Sequence, residues 1–346
     1  MRYFLPRALR AASPSATHAL SASSRAQTAS VGDDSFGVSF WNSTHGLLGG
    51  NDPLSGGDVY RTSTGGVNWA SVDWSFFPLT ESAVSATPDV GIVCGSFGVQ
   101  YTRNGGANWT QANGDVADCV SARRTGFAGG FAVIGDLGLL SDTVGCAVST
   151  NDGADWTLFD VSAIATYDPL YGSFPTASTW YLSAGGADAN GNPVGGQILK
   201  TASAGANWSV AYTSPAATRT VGIDCADAAN CCMAQVDAGG NASISCTHDG
   251  GASWALGFNV SGAAGNIFIN DIRATATSGW WAVGGIYPSV GWVLHSADNG
   301  ASWAIDTTLP YYASGIDAAP DGSLFGVVFE QVGDDGFANY VISGQA

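Results

Sequence analysis

The carboxyl groups are the residues of this sequence that could do acid–base chemistry. Asp and Glu together number 28, and only Glu81 and Glu330 are Glu. A glycosidase needs two carboxyl groups that flank a cleft, one of them often with a raised pKa. The aspartates whose positions near inner strands or turns suit such a cleft are Asp136, Asp188, Asp224 and Asp271. The alternative for each of them is a solvent-facing turn aspartate, and sequence spacing does not decide between the two.

Metal and redox chemistry find little support in the sequence. The four histidines are dispersed, and no Cys or His pair has the spacing of zinc ligands. No Cys-x-x-Cys occurs, which argues against a thioredoxin-type centre. We therefore expect no metal site and no cofactor.

The seven cysteines leave a structural question open. Cys225 and the pair Cys231 and Cys232 fall on the two strands of one predicted hairpin, and Cys246 begins the next strand. A disulfide among these four is expected if the compartment is oxidising. The alternative is that they are buried small hydrophobic residues. Because the count is odd, at least one thiol is free or intermolecular.

An eight-residue phrase occurs six times, with the pattern Ser/Thr-x-Asp-x-Gly-x-x-Trp and a variable third residue. The copies, which we call boxes, are TSTGGVNW at 62–69, TRNGGANW at 102–109, STNDGADW at 149–156, TASAGANW at 201–208, THDGGASW at 247–254 and SADNGASW at 296–303. Their tryptophans lie 40 to 52 residues apart. Self-similarity at this spacing is the signature of a propeller or a solenoid.

Each box is predicted to be the turn of a β-hairpin, because short alternating runs precede and follow it. The third residue always carries a short side-chain oxygen, which can accept hydrogen bonds from nearby backbone N–H groups. The glycine suits a positive φ, and the tryptophan can anchor the following strand. The third residues are Thr64, Asn104, Asn151, Ser203, Asp249 and Asp298; the glycines are Gly66, Gly106, Gly153, Gly205, Gly251 and Gly300; the tryptophans are Trp69, Trp109, Trp156, Trp208, Trp254 and Trp303.

A second hairpin precedes each box, as in IRATATSGWWAVGG, so that each repeat supplies four antiparallel strands. Four strands per repeat of this length make one propeller blade. The sequence therefore predicts an all-β fold, a single β-propeller domain over residues 33–346. The tail after the sixth box resembles three further strands, and the segment around 25–35 could supply a fourth. We favour seven blades, with six as the alternative.

These boxes resemble the Asp-box, or BNR, repeat, and the resemblance covers nearly all of residues 36–310. That family spans sialidases, xyloglucan-cleaving glycosidases, sortilin-type receptors and photosystem II assembly factors. The stretch SGWWAVGGIYPSVGWVLHSADNGASW at 278–303 is most similar to the photosystem II stability and assembly-factor propellers. The resemblance implies a seven-bladed, non-catalytic scaffold that docks on a partner protein. It also implies that the boxes are structural turns away from the active face.

Two departures from these families matter. The photosystem II factors share an Arg-rich patch, whereas here Arg123 and Arg124 are the only adjacent basic residues after the leader. Sialidases need three converging Arg, a Tyr nucleophile with a Glu beside it, and an Asp acid/base. Tyr60-Arg61-Thr62 is similar to their Phe/Tyr-Arg-Ile-Pro motif but lacks the Ile-Pro. We therefore do not expect sialidase activity, and no catalytic residue is assigned.

Charge excludes some partners. The formal net charge is −17, and no acidic residue precedes Asp33. An acidic surface repels nucleic acid and anionic lipid, so neither is expected as a partner. No run of 18 apolar residues occurs, so no membrane span is expected.

The first 32 residues have a composition of their own. They are rich in Arg, Ser and Ala and lack acids, which resembles an organelle transit peptide of the plastid or mitochondrial type. The alternatives are a disordered tail or a misplaced start that hides a secretory signal. We expect most of residues 1–32, a targeting or disordered leader, to lie outside the fold. We also expect a plastid-type location, with secretion as the alternative.

Taken together, the sequence predicts a non-catalytic propeller scaffold that binds a protein partner. The alternative is a secreted carbohydrate-binding protein or glycoside hydrolase. Paired funnel carboxylates beside exposed tryptophans would favour the glycosidase. A docking patch without such a pair would favour the scaffold.

Overall fold

Every regular element is a β-strand in the residues that the computed structural model describes. Those residues are 21–24, 37–52, 56–72, 80–96, 98–138, 143–261, 267–275, 279–331 and 337–345. Within them the strands form seven four-stranded antiparallel sheets, the number of blades that the sequence favoured.

Each of the first six sheets uses four consecutive strands. Sheet one is β2 (Gly37–Phe40), β3 (Gly46–Asp52), β4 (Gly56–Thr62) and β5 (Ala70–Ser71). Sheet two is β6 (Thr80–Ser85), β7 (Gly91–Gly95), β8 (Gly98–Thr102) and β9 (Thr110–Gln111). Sheet three is β10 (Cys119–Arg124), β11 (Phe131–Leu137), β12 (Thr143–Ser149) and β13 (Thr157–Asp160). Sheet four is β14 (Pro169–Ser173), β15 (Trp180–Ala187), β16 (Pro193–Thr201) and β17 (Trp208–Thr213). Sheet five is β18 (Thr218–Cys225), β19 (Cys231–Asp237), β20 (Ala242–Thr247) and β21 (Ala255–Val260). Sheet six is β22 (Ile267–Thr275), β23 (Gly279–Ile286), β24 (Val290–Ser296) and β25 (Ala304–Leu309).

The seventh sheet joins the two ends of the chain. It is β26 (Tyr312–Ala318), β27 (Ser323–Gln331) and β28 (Phe337–Gln345), with β1 (Ser21–Ser24) as the outermost strand. The sequence analysis offered the segment around 25–35 for this closing strand and excluded most of residues 1–32 from the fold. The structure instead places it at Ser21–Ser24, inside the predicted leader, while residues 25–36 lie outside the described residues. Composition does not reveal the position of this strand, because a short strand of Ser and Ala has the same composition as the leader around it.

The sheets form a closed ring around a central axis. The first strand of each sheet contacts the first strand of the next, from β2 through to β26, and β26 contacts β2 in turn. Closure leaves no sheet face open at the end of the array, and it brings the seven innermost strands together. Side chains on these strands therefore define the central site.

The hydrophobic core lies between neighbouring sheets. Box tryptophans contribute at six of the seven interfaces, and the cluster between sheets six and seven, as the structure describes it, contains none. Trp303 of sheet six, for example, packs with Cys232, Cys246 and Ile244 of sheet five. Trp69 lies edge-on to Phe40, at 5.9 Å between ring centroids, in the cluster that joins sheets one and seven. The box thus ties its own strand to the preceding sheet.

All six boxes make the same two hydrogen bonds. The first residue, such as Thr247, accepts from the N–H of the box glycine at 2.8 to 3.1 Å. The third residue, such as Asp249, accepts from the N–H four residues on at 2.8 to 3.0 Å. The box glycines all have φ between 82° and 91°. The acids in the boxes are therefore occupied with closing a turn.

Two disulfides cross-link sheet five. They join Cys225 to Cys231 between β18 and β19, and Cys232 to Cys246 between β19 and β20. The remaining cysteines, Cys94, Cys119 and Cys146, are buried and form no disulfide.

Candidate binding site at the centre of the propeller

The central site is built from equivalent positions on the innermost strands. Six of these strands carry a register shift near their start, at β6, β10, β14, β18, β22 and β26. A bulge bends a strand and redirects the side chains after it. The residues two positions after the shift are Val84, Arg123, Ser173, Asp224, Arg273 and Asp317. Ser39 takes the corresponding place on β2, and we call these seven residues the axial ring.

Three members of the axial ring fasten their sheet to the next one. Ser173 Oγ accepts a hydrogen bond from the N–H of Cys225 at 3.0 Å. Asp224 Oδ2 accepts from the N–H of Ala274 at 2.9 Å. Asp317 Oδ2 accepts from the N–H of Phe40 at 2.7 Å. In each case the donor is the residue that follows the next sheet's ring member, so one geometry is repeated around the axis.

Asp271 adds a further link between sheets six and seven. Its Oδ2 accepts from the N–H of Ile316 at 3.2 Å, and its Oδ1 accepts from the N–H of Ile272 at 2.9 Å. Arg273 Nη1 also donates to Asp271 Oδ1. Both oxygens of this buried carboxylate therefore have partners, which a buried charge requires.

Two ion pairs join sheets that are not neighbours in the ring. Arg124 Nη2 lies 2.7 Å from Asp317 Oδ1, which links sheet three to sheet seven. Arg123 Nη2 lies 3.6 Å from Asp271 Oδ1, which links sheet three to sheet six. Arg124 Nη1 also donates to the Phe40 carbonyl at 2.6 Å. These contacts cross the central axis and bring three arginines and three aspartates into one charge-balanced cluster.

Burial and neighbouring charges shift the titration of this cluster. Burial, assisted by the charge of Arg273, lowers the pKa of Arg123. For Arg273, burial acts to lower the pKa, but Asp271, Asp224 and Asp317 outweigh it, and its pKa is raised. Burial, with a contribution from Asp271, raises the pKa of Tyr171, whose ring centroid lies 5.5 Å from the Arg123 guanidinium carbon. Tyr171 is therefore a neutral hydroxyl at physiological pH.

A polar cavity opens over this cluster. Its volume is about 250 Å³, and its lining around the charged residues includes Ser39, Val120, Ser121, Tyr171, Asn270 and Ser314. Arg123 Nε is buried and, in the part of the chain that the structure describes, has no hydrogen-bond partner. Such a wall suits the polar groups of a ligand.

The three aspartates of the cluster are held by hydrogen bonds from within the chain. Asp224 accepts from Ser173 Oγ at 2.8 Å and from Ala274, and Asp317 accepts from Arg124 and Phe40. Both oxygens of Asp224, Asp271 and Asp317 are thus taken by groups of the chain itself.

The four aspartates singled out from the sequence divide into two pairs. Asp224 and Asp271 line the central cavity. Asp136 is exposed on β11, and Asp188 caps an exposed turn by accepting from the N–H groups of Asn190 and Asn192. The two alternatives that the sequence left open are thus both represented, because carboxylates in outer turns and on inner strands look alike in sequence.

Sequence reasoning missed most of the cluster. The sequence analysis did not propose any of four cluster residues for the site: Asp317, Arg124, Arg273 and Tyr171. It mentioned Arg123 only because it and Arg124 are adjacent basic residues. Aligning the repeats on their innermost strands would have placed Arg123, Asp224, Arg273 and Asp317 in one column. The bulge on these strands could not be recognised from the sequence. It shifts by one residue the alternation of side chains between the two faces of the strand, and this alternation is what identifies the side chains that face the axis.

The sialidase-like motif lies away from the centre. Arg61 is exposed and donates from Nη1 to the carbonyl of Gly105, in the box of sheet two. Tyr60 packs in the cluster between sheets one and seven. The side chains of Glu81 and Glu330 lie outside the described ones.

The residues that the structure describes contain neither a cluster suited to a metal ion nor a helix suited to a membrane. Over those ranges, no group of three or more His, Cys, Asp or Glu side chains is placed to hold a metal ion. Within the same ranges, no helix is long and apolar enough to cross a membrane.

Solved structures similar to this chain include two of YCF48 and one of a GH74 xyloglucanase. YCF48 bound to a D1 peptide matches with a TM-score of 0.62 and 16% identity, over 97% of this chain and 96% of that one. YCF48 from Cyanidioschyzon merolae matches with a TM-score of 0.59 and 16% identity, over 95% and 98%. The GH74 xyloglucanase from Xanthomonas campestris matches with a TM-score of 0.59 and 14% identity, over 87% of this chain but 51% of the enzyme.

At these identities the likeness shows a shared β-propeller fold. Neither the comparison with protein families nor that with curated proteins finds a match for this sequence. YCF48 is matched over nearly its whole length, whereas the chain spans about half of the xyloglucanase.

Proposed function

We propose that this protein is a non-catalytic propeller that binds a protein partner through its central cavity. The observation that carries the proposal is the occupation of the axial aspartates. Both oxygens of Asp224, Asp271 and Asp317 hold neighbouring sheets or arginines together. The cavity above them is also lined by residues with hydroxyl, amide and guanidinium groups, which suits the binding of a polar ligand.

The similar structures also support the proposal of a protein partner. YCF48, matched end to end, is a propeller that has been seen with a D1 peptide bound. An assembly role like that of the photosystem II factors is consistent with this fold, although the arginines at the centre of this chain are balanced by aspartates. We therefore propose a peptide segment of a partner protein as the ligand, without carrying over the identity of that partner.

The disulfides bear on the compartment. Cys225–Cys231 and Cys232–Cys246 persist only where thiols are oxidised. We propose that the protein acts in an oxidising space, inside an organelle or outside the cell, which agrees with either targeting alternative for the leader.

Two exposed valines offer a test of the binding site. Val120 lies on the bulge of β10 at the cavity and is 44% exposed, whereas Val67 lies in the first box and is 56% exposed. Val120→Arg should obstruct the cavity without disturbing the buried cluster. Val67→Arg is the matched control, with the same substitution on an exposed turn.

The experiment selects peptides from a displayed random library against the immobilised wild-type protein and measures their affinities by calorimetry. The proposal expects peptides that bind wild type and Val67→Arg alike, and that lose at least tenfold in affinity with Val120→Arg. Peptides that are indifferent to Val120→Arg, or a selection that enriches nothing, would overturn it. Release of sugars from xyloglucan that Val120→Arg abolishes would establish the glycosidase alternative instead.

A further inference from the structure

Two of the box turns carry the acceptor sequence for N-linked oligosaccharides, Asn-x-Ser/Thr. The second box, TRNGGANW, is followed by Thr110, and the fourth, TASAGANW, is followed by Ser209. The acceptors are therefore Asn108 and Asn207, which occupy the same place in their boxes, the seventh. A modification at either one would lie at the same point of the repeat.

The side chains of these two asparagines have no task in their turns. Both residues are exposed, and among the described residues neither side chain makes a hydrogen bond. It is their backbone N–H groups that close the turn, on Asn104 Oδ1 at 2.9 Å and on Ser203 Oγ at 2.9 Å. A group attached to the side-chain nitrogen of Asn108 or Asn207 would leave these bonds in place.

Three other boxes use their seventh residue to brace the turn. Ser253 Oγ donates to the carboxylate of Asp249 at 2.6 Å, and the sixth box repeats this contact. In the third box Asp155 accepts from the side-chain nitrogen of Asn151 at 2.6 Å. An amide that faces solvent without a partner is thus a property of the boxes with Asn at this place, and not of the turn itself.

The other acceptor sequences of the chain are less open. A bulky oligosaccharide suits an acceptor that stays in solvent. Asn42 is partly buried, and its Oδ1 accepts from two N–H groups of its own turn. Asn241 is also partly buried, and its side-chain nitrogen donates to both oxygens of Asp237. Asn259 is exposed, but it lies within β21 and not in a turn.

The box turns lie at the end of the propeller that is opposite to Val120. In an antiparallel sheet the first and third strands run in the same direction, so the box after the third strand lies where the first strand ends. Val120 lies at the start of a first strand, β10, where the chain enters the sheet. Oligosaccharides on the boxes therefore leave the Val120 side of the cavity clear, and they are compatible with peptide binding there without depending on it.

We propose that Asn108 and Asn207 are N-glycosylation sites. The donor class is an oligosaccharide linked to a lipid diphosphate. The side-chain nitrogen forms a bond to the anomeric carbon, the bond from that carbon to the phosphate oxygen breaks, the nitrogen loses one proton, and the lipid diphosphate leaves. This transfer belongs to the secretory pathway, an oxidising route on which the two disulfides of sheet five also persist. Of the two locations considered for this protein, the proposal selects the secreted one.

The first box supplies a matched control within the same chain. Asn68 is exposed at the seventh place of TSTGGVNW, and its side chain makes no hydrogen bond among the described residues. The residue two positions on is Ala70, so the acceptor sequence is incomplete. Ala70 is exposed and begins β5, where threonine is readily accepted. Ala70→Thr therefore completes the sequence on an equivalent turn.

The experiment expresses the full chain from Met1 in cultured insect cells. Wild type, Asn108→Gln, Asn207→Gln and Ala70→Thr are compared by gel mobility before and after treatment with peptide-N-glycosidase F. Glycopeptides of the wild-type protein are identified by mass spectrometry, which scores each site without any substitution. The proposal expects a mobility shift that the enzyme removes, one step fewer for each glutamine variant, and one step more for Ala70→Thr.

A wild-type chain whose mobility the enzyme leaves unchanged would contradict the proposal. Unmodified peptides at Asn108 and Asn207 would also contradict it, most directly if Ala70→Thr gains an oligosaccharide on Asn68. That gain would show that the chain reached the transferase and that the turn can be modified, while the two natural sites are not used. Neither result bears on peptide binding, which the Val120→Arg comparison tests separately.

Discussion

Arg123 and Asp271 lie on sheets three and six, which do not touch as neighbours, and 3.6 Å separates the guanidinium nitrogen from the carboxylate oxygen. Together with Arg124 and Asp317, this pair spans the axis of the ring. A propeller is otherwise held by contacts between successive sheets. The cluster therefore gives the ring a set of bonds through its centre, and it uses for that purpose the residues that would be suspected of catalysis.

Asp271 is expected to be a major contributor to stability. In Asp271→Asn, the amide keeps the shape but leaves Arg273 and Arg123 buried without this counter-charge. Breaking one partner of a buried pair costs about 3 to 5 kcal/mol. Urea unfolding followed by circular dichroism should show a loss of that size. Asp136→Asn, on an exposed strand position, is the control and should change the free energy of unfolding by less than about 0.5 kcal/mol. Equal, small effects of the two substitutions would contradict the assigned role.

Alanine substitutions at two glycines should distinguish the cost of backbone strain from the cost of steric crowding. Gly300 and Gly191 have nearly the same positive φ, 84° and 82°. A Cβ on Gly300 would clash with the sulfur atoms of Cys232 and Cys246 in the preceding sheet, whereas a Cβ on Gly191 would meet nothing within 4 Å. Gly191→Ala should therefore cost only the backbone term, about 1 to 2 kcal/mol. Gly300→Ala should cost clearly more, measured by thermal unfolding, and an equal loss in the two variants would argue against packing of the box onto that disulfide.

Acid should weaken the boxes. Hydrogen bonds from the side chain and then the backbone N–H of Ser253, with one from Thr247, hold the pKa of Asp249 well below its usual value. Since the folded-state pKa is depressed, the stabilisation is present above the unfolded-state pKa of about 4 and is lost as pH falls through the folded-state value. Asp249→Asn keeps the cap that Asn104 and Asn151 provide in other boxes but does not titrate.

Urea midpoints of wild type and Asp249→Asn, measured between about pH 6 and about pH 2, follow this dependence. The advantage of wild type should shrink as pH falls. A difference between the two proteins that stays constant over the whole range would show that ionisation of Asp249 does not contribute.

More of the fold than of the central site could be predicted from the sequence. The six boxes predict repeated hairpins, because each contains a capping oxygen, a glycine and a tryptophan. These residues act within one turn, so their roles can be recognised from the sequence alone. The closing strand escaped prediction, since Ser21–Ser24 has no local signature and is ordered only by pairing with β28. The cluster escaped for a related reason: Arg124 and Asp317 are 193 residues apart and meet only when the ring closes.

The thiols offer a chemical check of the cysteine assignment. Cys94, Cys119 and Cys146 are buried, and burial raises the pKa of Cys146. A thiol reagent should therefore react slowly with the native protein, with three thiols after denaturation without reductant, and with all seven after reduction. Five or seven reactive thiols before reduction would show that one or both disulfides of sheet five are absent.

The bond between Arg124 and Asp317 tests the central claim most directly, because it joins sheets three and seven across the axis at 2.7 Å. The measurement is a double-mutant cycle of Arg124→Met and Asp317→Asn, with the free energy of unfolding determined for all four proteins. If the cluster fastens the ring through its centre, the two substitutions should be coupled by about 1 to 3 kcal/mol. Strictly additive effects would contradict the claim that the cluster fastens the ring. The axial carboxylates would then again be candidates for a chemical role.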